Sequence, residues 1–420
     1  MKVLTIVHQF LPGHAAGAEY YTYYLAKALQ ARGHSLHLLT TEIDHDRPHA
    51  ELGRTEFDGL PIHQAINNHK FPTFELTYED PAMEANLRRV LDRVRPDVVH
   101  VQHLHLLSIG CIDVIKERGL KLAWTLHEYV PMCVRHGQLL RTEGELCEGP
   151  EDVECAKCAR MWHAPAGTRG TDEDYLRAVR ARLKRMRAEL AKVDLFIAPS
   201  RFLRDKYVEH GFIRPERIVV SDYGFHTAGF RRVERTASRD LRVGFLGTIA
   251  PWKGVHVLVE AFNGLPEAGV TCDVWGDLTF LPDYVAELRD RRHHLDVKLL
   301  GKCPNDRVAE AFANLDVLVV PSLWFENSPL TIHEAFLAGV PVICSDRGGM
   351  AELVEDGVNG LHFRLGDATD LRDKIERLMK EPELLAKLRD GIPPVKDMAA
   401  DAEWMEARLA ELALRDPQGT

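Results

Sequence analysis

Two glutamates separated by seven residues are the side chains with the clearest capacity for chemistry in this sequence. Glu326 and Glu334 lie in the segment 316–346, which reads DVLVVPSLWFENSPLTIHEAFLAGVPVICSD. Apolar residues surround Glu334 on almost every side of a predicted helix, and a buried carboxylate is costly without a partner. Two simpler interpretations are that Glu326 complements the helix dipole and that Glu334 lies at an exposed edge. The alternative is a ligand site in which both carboxylates accept hydrogen bonds from hydroxyl groups.

The elements that position these carboxylates are predicted from the same segment. Residues 316–321 and 340–344 are short, apolar and rich in β-branched side chains, which is typical of buried parallel strands. Ser328 is predicted to cap the intervening helix, with Pro329 at its first position and Gly339 at its end. The free amides at such a helix start can bind an anion. An anion held beside several hydroxyl groups describes a nucleotide sugar.

The composition limits the classes of protein to which this chain can belong. Its 420 residues are enough for two or three domains, and 45% hydrophobic with 28% charged residues is ordinary for a soluble protein. A net charge of −10 argues against a general nucleic-acid binder, which needs a basic surface. The sequence has no apolar run of membrane-spanning length and no signal-peptide layout at its N-terminus, so a cytoplasmic location is predicted.

The first half of the chain alternates strands and helices, as a doubly wound α/β domain does. Residues 2–8 are predicted as a strand, 10–17 as a glycine-containing loop and 18–32 as a helix. In such a fold, ligands bind at the carboxyl ends of the strands. Gly17, at the start of the helix, could let the backbone approach a phosphate, although a tight turn is the simpler explanation.

Histidines follow two of the predicted strands in this half. The strand 121–126 runs directly into His127, and a histidine at the carboxyl end of a parallel strand is expected to face the ligand cleft. We therefore interpret His127 as functional. The other histidines near a strand end are interpreted as structural: His100, His103 and His105.

Four of the eight cysteines are clustered between residues 131 and 170, where the periodicity fails. They are Cys133, Cys147, Cys155 and Cys158, the last two in a C-x2-C arrangement. A long loop without secondary structure is usually stabilised by a cross-link or a bound ion, or has a function of its own. Four thiolates suit a tetrahedral structural zinc ion. The long spacing between Cys133 and Cys147 weakens this prediction. The alternatives are an iron–sulfur cluster, a redox disulfide or unliganded thiols.

A helix predicted over residues 174–193 is strongly basic. Its positive side chains are Arg177, Arg180, Arg182, Lys184, Arg185 and Arg187. A solvated face is the simplest interpretation of such a run. The alternative is that Arg177–Arg187 contacts an anionic lipid or an acidic acceptor. Contact with lipid would place the protein at the inner face of a membrane.

The second half begins a new series of strands and helices at Leu241. The strand 243–246 ends in GTIAPWKG, and Lys253 in this loop could neutralise a phosphate, unless it is an ordinary surface lysine. The last helix, residues 399–415, carries Trp404 among other apolar residues and must pack on an apolar surface.

Several motifs together resemble the retaining, family-4 type of nucleotide-sugar glycosyltransferase. They are GTIAPWKGVHVLVEAF and PSLWFENSPLTIHEAFLAGVPVICSDRGGMAELVEDGVNGLHF in the second half, with GAE at Gly17, TLHE at His127 and APSRF at Ser200 in the first. The resemblance covers nearly the whole chain, and the E-x7-E unit is its most specific part.

The resemblance implies the GT-B architecture, an α/β fold in which two Rossmann-like, doubly wound domains face a central cleft. The acceptor-side domain would span residues 1–225 and include the cysteine-rich insertion 131–170. A linker, 226–240, would lead to the nucleotide-sugar-binding domain, 241–395. Residues 396–420 would form a helix that crosses back and packs on the N-terminal domain.

The resemblance also implies roles for residues on the donor side of the site. Glu334 would bind the ribose hydroxyls and Glu326 the transferred sugar. Backbone amides would bind the diphosphate or the sugar around three neighbouring residues, Ser328, Leu330 and Thr331. The donor would be a nucleotide-diphosphate sugar.

A lysine and two residues of the first domain would complete this implied site. Lys253 would hold the diphosphate, Gly17 would approach it from the other domain, and His127 would contact the sugar. The family commonly has Arg where this chain has Thr248, which removes one cationic contact to the donor phosphates. Either Arg347 or another residue replaces that contact, or donor binding is weaker.

The implied reaction transfers a sugar to a hydroxyl acceptor with retention of the anomeric configuration, and Glu326, His127 and Lys253 would be the catalytic residues. The acceptor would be a glycan, a lipid-linked molecule or a small molecule. Asp44 and Asp46 do not form a convincing D-x-D motif, so no catalytic metal is expected. The alternatives are an epimerase or hydrolase of the same fold, or a non-catalytic sugar-nucleotide-binding protein.

Overall fold

The computed structural model describes residues 1–68, 71–142, 144–163, 170–230, 237–304 and 307–414. The chain divides into two units, each built around its own sheet. The first unit contains Met1–Gly224 together with the segment that starts at Lys396, and the second contains Phe225–Val395. Parts of the predicted insertion, linker and last helix lie outside the described residues. They are residues 143 and 164–169 of the insertion, 231–236 of the linker and 415–420 of the last helix.

The sheet of the first unit has eight strands among the described residues. They are β1 Lys2–Ile6, β2 Ser35–Glu42, β3 Leu52–Phe57, β4 Leu60–Ile66, β5 Val98–Val101, β6 Lys121–Thr125, β7 Leu195–Ala198 and β8 Ile218–Val220. Their order is β3-β4-β2-β1-β5-β6-β7-β8. All neighbours are parallel except the β3–β4 pair. The central strands are short apolar runs, which is typical of strands that are covered on both faces.

Helices connect the parallel strands of this unit, as crossover connections require. They are α1 Gly17–Ala31, α2 Pro81–Val94, α3 Cys111–Glu117, α4 Asp152–His163, α5 Asp172–Leu190 and α6 Arg201–Glu209. A further helix from the end of the chain, α14 Met398–Leu414, belongs to the same unit.

The second unit has a smaller sheet, and all its neighbouring strands are parallel. Its strands are β9 Leu241–Leu246, β10 Val270–Trp275, β11 Val297–Gly301, β12 Val317–Val320, β13 Val342–Ser345 and β14 Gly360–Phe363, in the order β11-β10-β9-β12-β13-β14. Its helices are α7 Val255–Asn263, α8 Pro282–Arg291, α9 Val308–Ala313, α10 Leu330–Leu337, α11 Gly348–Leu353, α12 Ala368–Lys380 and α13 Pro382–Asp390.

Each sheet has a position at which the strand order reverses. In the first unit β1 lies between β2 and β5, and in the second β9 lies between β10 and β12. In doubly wound folds, ligands bind in the crevice at the carboxyl ends of the strands at such a switch point. Functional side chains are therefore expected in the loops that follow β1 and β5 and in those that follow β9 and β12.

The last helix, α14, packs against α1 in the first unit. Asp401 near its start is buried and accepts hydrogen bonds from the Tyr21 hydroxyl at 2.9 Å and from the Gly224 amide at 3.2 Å. Lys396 forms an ion pair with the same carboxylate. A Cβ at Gly224 would lie 2.4 Å from that of Asp401, so only glycine permits this approach. The predicted packing of the C-terminal helix on the N-terminal unit is confirmed.

The helix in the segment 316–346 begins one residue later than predicted. α10 starts at Leu330, and its N-cap is Pro329, whose ψ of 119° is extended rather than helical. Ser328 is therefore not the cap. Proline fixes φ but not ψ, so it can precede a helix as well as open one. The predicted end is right, because Gly339 adopts a φ of +69° just after the helix.

The cysteine-rich segment is more regular than predicted. α4 lies within the stretch 131–170, in which we expected a loop without secondary structure. Asp152 and Glu154 in its first turn and Arg160 and His163 in its last turn complement the helix dipole. These charges, rather than a stripe of apolar residues, were the signal for a helix in the sequence.

Candidate functional site

Lys253 and Glu326 meet at the switch point of the second sheet. Lys253 ends the 3-10 turn Pro251–Lys253, which follows β9, and Glu326 lies in the loop between β12 and α10. The backbone joins the two loops, since the Leu323 amide donates a hydrogen bond to the Trp252 carbonyl at 2.8 Å. The fold thus brings together two predicted site residues that are far apart in the sequence.

One oxygen of Glu326 accepts three hydrogen bonds. The donors to Oε1 are Lys253 Nζ at 2.6 Å, Ser322 Oγ at 2.8 Å and Trp324 Nε1 at 2.8 Å. Lys253 Nζ also lies 5.1 Å from the centroid of the Trp324 ring, within the range of a cation–π interaction. Glu326 is only 7% exposed, so these donors compensate the burial of its charge. The same contacts fix the position of the lysine ammonium.

Two glycines permit the close approach of the loops that carry this ion pair. Gly254 has a φ of +70°, and a Cβ there would lie 1.9 Å from the carbonyl oxygen of Pro321. A Cβ at Gly349 would lie 1.5 Å from the carbonyl oxygen of Asn327. Neither position can accept a side chain unless the backbone of the two loops moves.

Glu334, the second carboxylate of the E-x7-E spacing, lies on α10 and is half-buried. Burial raises its pKa to about 7, and His333 opposes this rise in part. No residue that the structure describes forms a hydrogen bond or ion pair with the Glu334 carboxylate. A desolvated carboxylate without a partner is costly, so the arrangement fits a residue whose partners are hydroxyl groups of a ligand.

Backbone amides at the start of α10 form another part of this site. Ser328 is buried, whereas Leu330 and Thr331 are half-buried. No side chain caps the first turn of the helix. The Ile332 amide in this turn donates to the Pro329 carbonyl at 3.1 Å. The first amides of a helix have no carbonyl partner within it, so those of Leu330 and Thr331 can donate to an anion.

The resemblance implies an arginine that contacts the donor phosphates, and two residues of this chain are relevant to that contact. Thr248 is exposed just after β9, and its hydroxyl is neutral. Arg347 is exposed and pairs with its neighbour Asp346 at 3.1 Å. Such exposed pairs are weak, so this pairing does not prevent Arg347 from binding a phosphate. That Arg347 takes over the phosphate contact of the arginine that the family commonly has at the position of Thr248 stays a prediction.

His127 follows β6 in the first unit, and both of its ring nitrogens are hydrogen-bonded. Nε2 lies 2.7 Å from Gln102 Oε1, and Nδ1 lies 2.7 Å from the Tyr223 hydroxyl. An amide oxygen only accepts, so Nε2 carries the proton and Nδ1 accepts from the tyrosine. Burial lowers the pKa of His127 to about 3, with smaller contributions from His100 and His8. The imidazole is therefore neutral near pH 7, which suits a positioned hydrogen-bonding group better than a base that titrates.

A carboxyl–imidazole cluster at the switch point of the first sheet was not predicted. Gly17 is exposed at the start of α1, and Glu19 two residues later is buried. The Glu19 Oε2 atom accepts from the Ala16 amide at 3.2 Å, while Oε1 lies 3.3 Å from His8 Nε2 and 3.9 Å from His14 Nε2. Burial raises the pKa of Glu19 to about 7. The available signal was the position of His8 just after β1.

A second pair extends this cluster at the neighbouring strand ends. His103 Nε2 lies 3.2 Å from Glu128 Oε1, and the ring centroids of His103 and His8 are 4.3 Å apart. Burial raises the pKa of Glu128 to about 8 and lowers that of His103. Both groups are therefore mainly neutral near pH 7. From the sequence His103 was interpreted as structural, and its contact with Glu128 was not foreseen.

Two groups of described residues place three potential metal ligands within 4.8 Å of one another. They are His8 with His14 and Glu19, and Glu267 with His294 and Asp296. The first group lies at the switch point of its sheet, whereas Glu267 of the second is exposed. The expectation that catalysis needs no metal stays a prediction.

The basic side chains of α5 are largely engaged within the first unit. Their partners are Asp174 for Arg177, Asp152 for Arg180, the Val130 carbonyl for Arg182, and Glu79 and Glu189 for Arg185. These contacts reduce the charge that the helix can offer to a lipid surface. Membrane contact through Arg177–Arg187 stays a prediction. Among the described helices, none has both the length and the apolar character of a membrane span.

Comparison with protein families matches both halves of the chain. The model of "Glycosyltransferase Family 4" matches residues 15–228, which is half of the chain. The model of "Glycosyl transferases group 1" matches residues 228–392.

Individual proteins are similar to the chain at lower levels of identity. An uncharacterised protein of the cps region of Klebsiella pneumoniae is 22% identical over 370 residues, which cover 84% of this chain and 87% of that protein. A D-inositol 3-phosphate glycosyltransferase of Streptomyces bingchenggensis is 28% identical over 218 residues, which cover 47% of this chain and about half, 48%, of that protein. The crystal structure of Anabaena HepE with UDP and glucose has a TM-score of 0.66 at 19% identity, and the match covers 98% of this chain and 99% of that one.

Proposed function

Because the chain belongs to glycosyltransferase family 4 and has the GT-B fold, we propose that it moves a sugar from a nucleotide-diphosphate sugar to a hydroxyl acceptor with retention of configuration. The observation that carries the proposal is the Lys253–Glu326 ion pair at the switch point of the second sheet. It lies beside α10, where Glu334 has no partner in the described part of the chain. These groups offer a cation and helix-start amides for the diphosphate, and two carboxylates for hydroxyl groups.

The ion pair can serve the leaving group and the sugar at the same time. An ammonium has three donors, so Lys253 can bind Glu326 with one and donor phosphates with the others. Glu326 accepts its three protein hydrogen bonds on Oε1, and an ionised carboxylate has further acceptor sites on Oε2 for a sugar hydroxyl. The pair would therefore hold the two sides of the bond that breaks.

The proposed reaction exchanges one bond at the anomeric carbon of the donor sugar. The bond from C1 to the phosphate oxygen breaks, and the nucleoside diphosphate leaves with the electron pair. The acceptor oxygen forms its bond to C1 on the same face, and its proton passes to the departing phosphate oxygen. Lys253 and the α10 amides would stabilise the charge that develops on the phosphate, which is usually the largest catalytic contribution of such groups.

The roles implied for residues of the first unit stay predictions. His127 is expected to contact the sugar as a neutral imidazole oriented by Gln102 and Tyr223. Gly17 is expected to approach the diphosphate. A lipid-linked acceptor and a location at the inner face of a membrane also stay predictions, as do the donor base and the acceptor itself.

Turnover with a panel of nucleotide-diphosphate sugars tests the proposal. We expect one donor to release its nucleoside diphosphate slowly with water as the acceptor, and faster once a suitable hydroxyl acceptor is added. With an α-linked donor, time-resolved proton NMR should detect the α anomer of the released sugar before mutarotation. First appearance of the β anomer would contradict retention. A changed sugar still attached to the nucleotide would indicate an epimerase. Donor hydrolysis that no added acceptor accelerates or diverts to a new glycoside would indicate a hydrolase. Binding of a donor without any cleavage would indicate a non-catalytic binding protein.

We expect Glu334→Gln to weaken donor binding by about 10- to 100-fold, which corresponds to the loss of a hydrogen bond to a charged group. Ligand hydroxyls donate best to the ionised carboxylate, whose pKa in the unliganded protein is about 7. Affinity of the wild type should therefore rise as the pH increases through about 7 and level off above it. Glu334→Gln should remove this dependence.

Calorimetric titration with an intact nucleotide-diphosphate sugar measures this effect, because the phosphates of such a donor do not titrate near neutral pH. Glu383→Gln, at an exposed position of α13, is the matched control and should bind as the wild type does. The same pH slope in Glu334→Gln and in the wild type would exclude Glu334 from the ribose contact.

A further inference from the structure

The four clustered cysteines of the first unit line one pocket. Cys133 and Cys147 lie in the irregular segment after β6, and Cys155 and Cys158 lie about one turn apart on α4. Residues three apart on a helix project from the same face, so both cysteines of α4 face the loop that carries the other two. No disulfide links any of the eight cysteines, all of which are in the described part of the chain. The rest of the lining is largely apolar and includes Met132, Val134, Leu139 and Leu140.

A backbone hairpin closes the long spacing between Cys133 and Cys147. Leu140 and Leu146 form an isolated antiparallel bridge, and the Cys147 amide donates to the Leu139 carbonyl at 2.8 Å. The chain therefore returns, and Cys147 reaches the pocket that Cys133 lines. The spacing that weakened the prediction of a metal site is thus bridged by local structure.

The surroundings of the cysteines suit a negatively charged metal centre. Buried Arg182 interacts electrostatically with Cys133 and Cys155, and Arg141 does so with Cys147. A divalent ion that replaces four thiol protons leaves a net negative site, and the two arginines would compensate that charge.

The fold alone does not draw the sulfur atoms into a coordination sphere. The groups of three potential ligands within 4.8 Å in the described residues do not include these cysteines. Zinc–sulfur bonds of about 2.3 Å in a tetrahedron place the sulfurs about 3.8 Å apart. A bound ion would therefore draw the side chains inward from the wall of the pocket.

We infer that Cys133, Cys147, Cys155 and Cys158 bind one zinc ion that clamps the segment between β6 and α5. Four sulfur ligands close the coordination sphere, so the ion has a structural role and no open position for substrate. The clamped segment begins beside Glu128, and the ion would hold in place the loop that follows the carboxyl end of β6. The inference does not depend on which sugar the protein transfers.

Metal analysis of the full-length protein, purified with a reductant and without chelator, tests this inference. We expect about one zinc per chain. A thiol-blocking mercurial should release the zinc to a colorimetric chelator in the same amount. Protein reconstituted with Co²⁺ should have the visible bands of tetrahedral cobalt and a thiolate charge-transfer band, both of which report the sulfur ligands directly.

Matched cysteine variants assign the ligands. Cys155→Ser should bind zinc at least about ten-fold more weakly, as expected for loss of one ligand of four, whereas Cys111→Ala in α3 should keep the full amount. Proteolysis within residues 126–151 should be faster in Cys155→Ser than in the control. If Cys155→Ser does not fold, the zinc content of the wild type and of Cys158→Ser decides.

Three results would overturn the inference. The first is a folded, zinc-free wild type whose four thiols react with an alkylating reagent. The second is stoichiometric iron in place of zinc. The third is a disulfide among these cysteines found by mass spectrometry after purification under reducing conditions.

Discussion

Glu326→Gln is expected to lower turnover by about 100- to 1,000-fold while the protein stays folded, the range typical for loss of one preorganised electrostatic contact. Gln can still accept hydrogen bonds from Ser322 and Trp324, so the loop should keep its shape. It cannot neutralise the Lys253 ammonium, which then loses its fixed position. Initial rates of nucleoside diphosphate release measure the effect, and thermal unfolding measures the integrity of the fold.

The neutral substitution at Glu326 has a matched control in the same unit. Glu383→Gln makes the same chemical change at an exposed position and should keep wild-type rates. Turnover of Glu326→Gln within about three-fold of the wild type would exclude this carboxylate from the catalytic site, whatever its effect on stability.

Lys253→Ala is expected to lower turnover by about 100-fold or more, because it removes the ammonium that would stabilise the departing diphosphate. It also leaves Glu326 as a buried carboxylate without a counterion, which is destabilising. The unfolding temperature of Lys253→Ala should therefore fall. Lys298→Ala, at an exposed position of β11, is the control and should change neither rate nor stability.

The double variant of Lys253→Ala with Glu326→Gln separates catalysis from stability. It removes both charges of the ion pair, so its unfolding temperature should recover most of the loss seen in Lys253→Ala. Its turnover should stay as low as that of the worse single variant. Recovery of turnover together with stability would mean that the lysine acts only by keeping the loops folded.

In the second unit, the secondary structure was predicted correctly from the sequence where the pattern of neighbouring residues was distinctive. The buried strands around α10 and the glycine after it were readable because apolar runs and Gly339 are local features. The two glutamates were recognisable from their spacing. The sequence did not indicate that Glu326 pairs with Lys253 while Glu334 has no partner among the residues that the structure describes, since that difference depends on how two loops meet.

Long-range contacts account for most of what the sequence did not predict in the first unit. His127 was placed at a strand end from local pattern alone, but its two partners are distant in the sequence. Gln102, whose amide oxygen fixes the tautomer, is 25 residues away, and Tyr223 is 96 residues away. The contact of His103 with Glu128 depends on the alignment of neighbouring parallel strands, which sequence periodicity does not specify. α4 was missed because its apolar stripe is weak and its dipole-matching charges are the stronger signal.

The position of α14 has a consequence for the synthesis of this protein on the ribosome. Asp401, the buried partner of Tyr21 and Gly224, is added only after the whole second unit has been translated. At rates of about 5–20 residues per second, the surface of α1 that α14 covers stays exposed for on the order of tens of seconds. The second unit, which is continuous in the chain, can complete its own sheet during that interval. The order of folding can thus be the reverse of the order of translation.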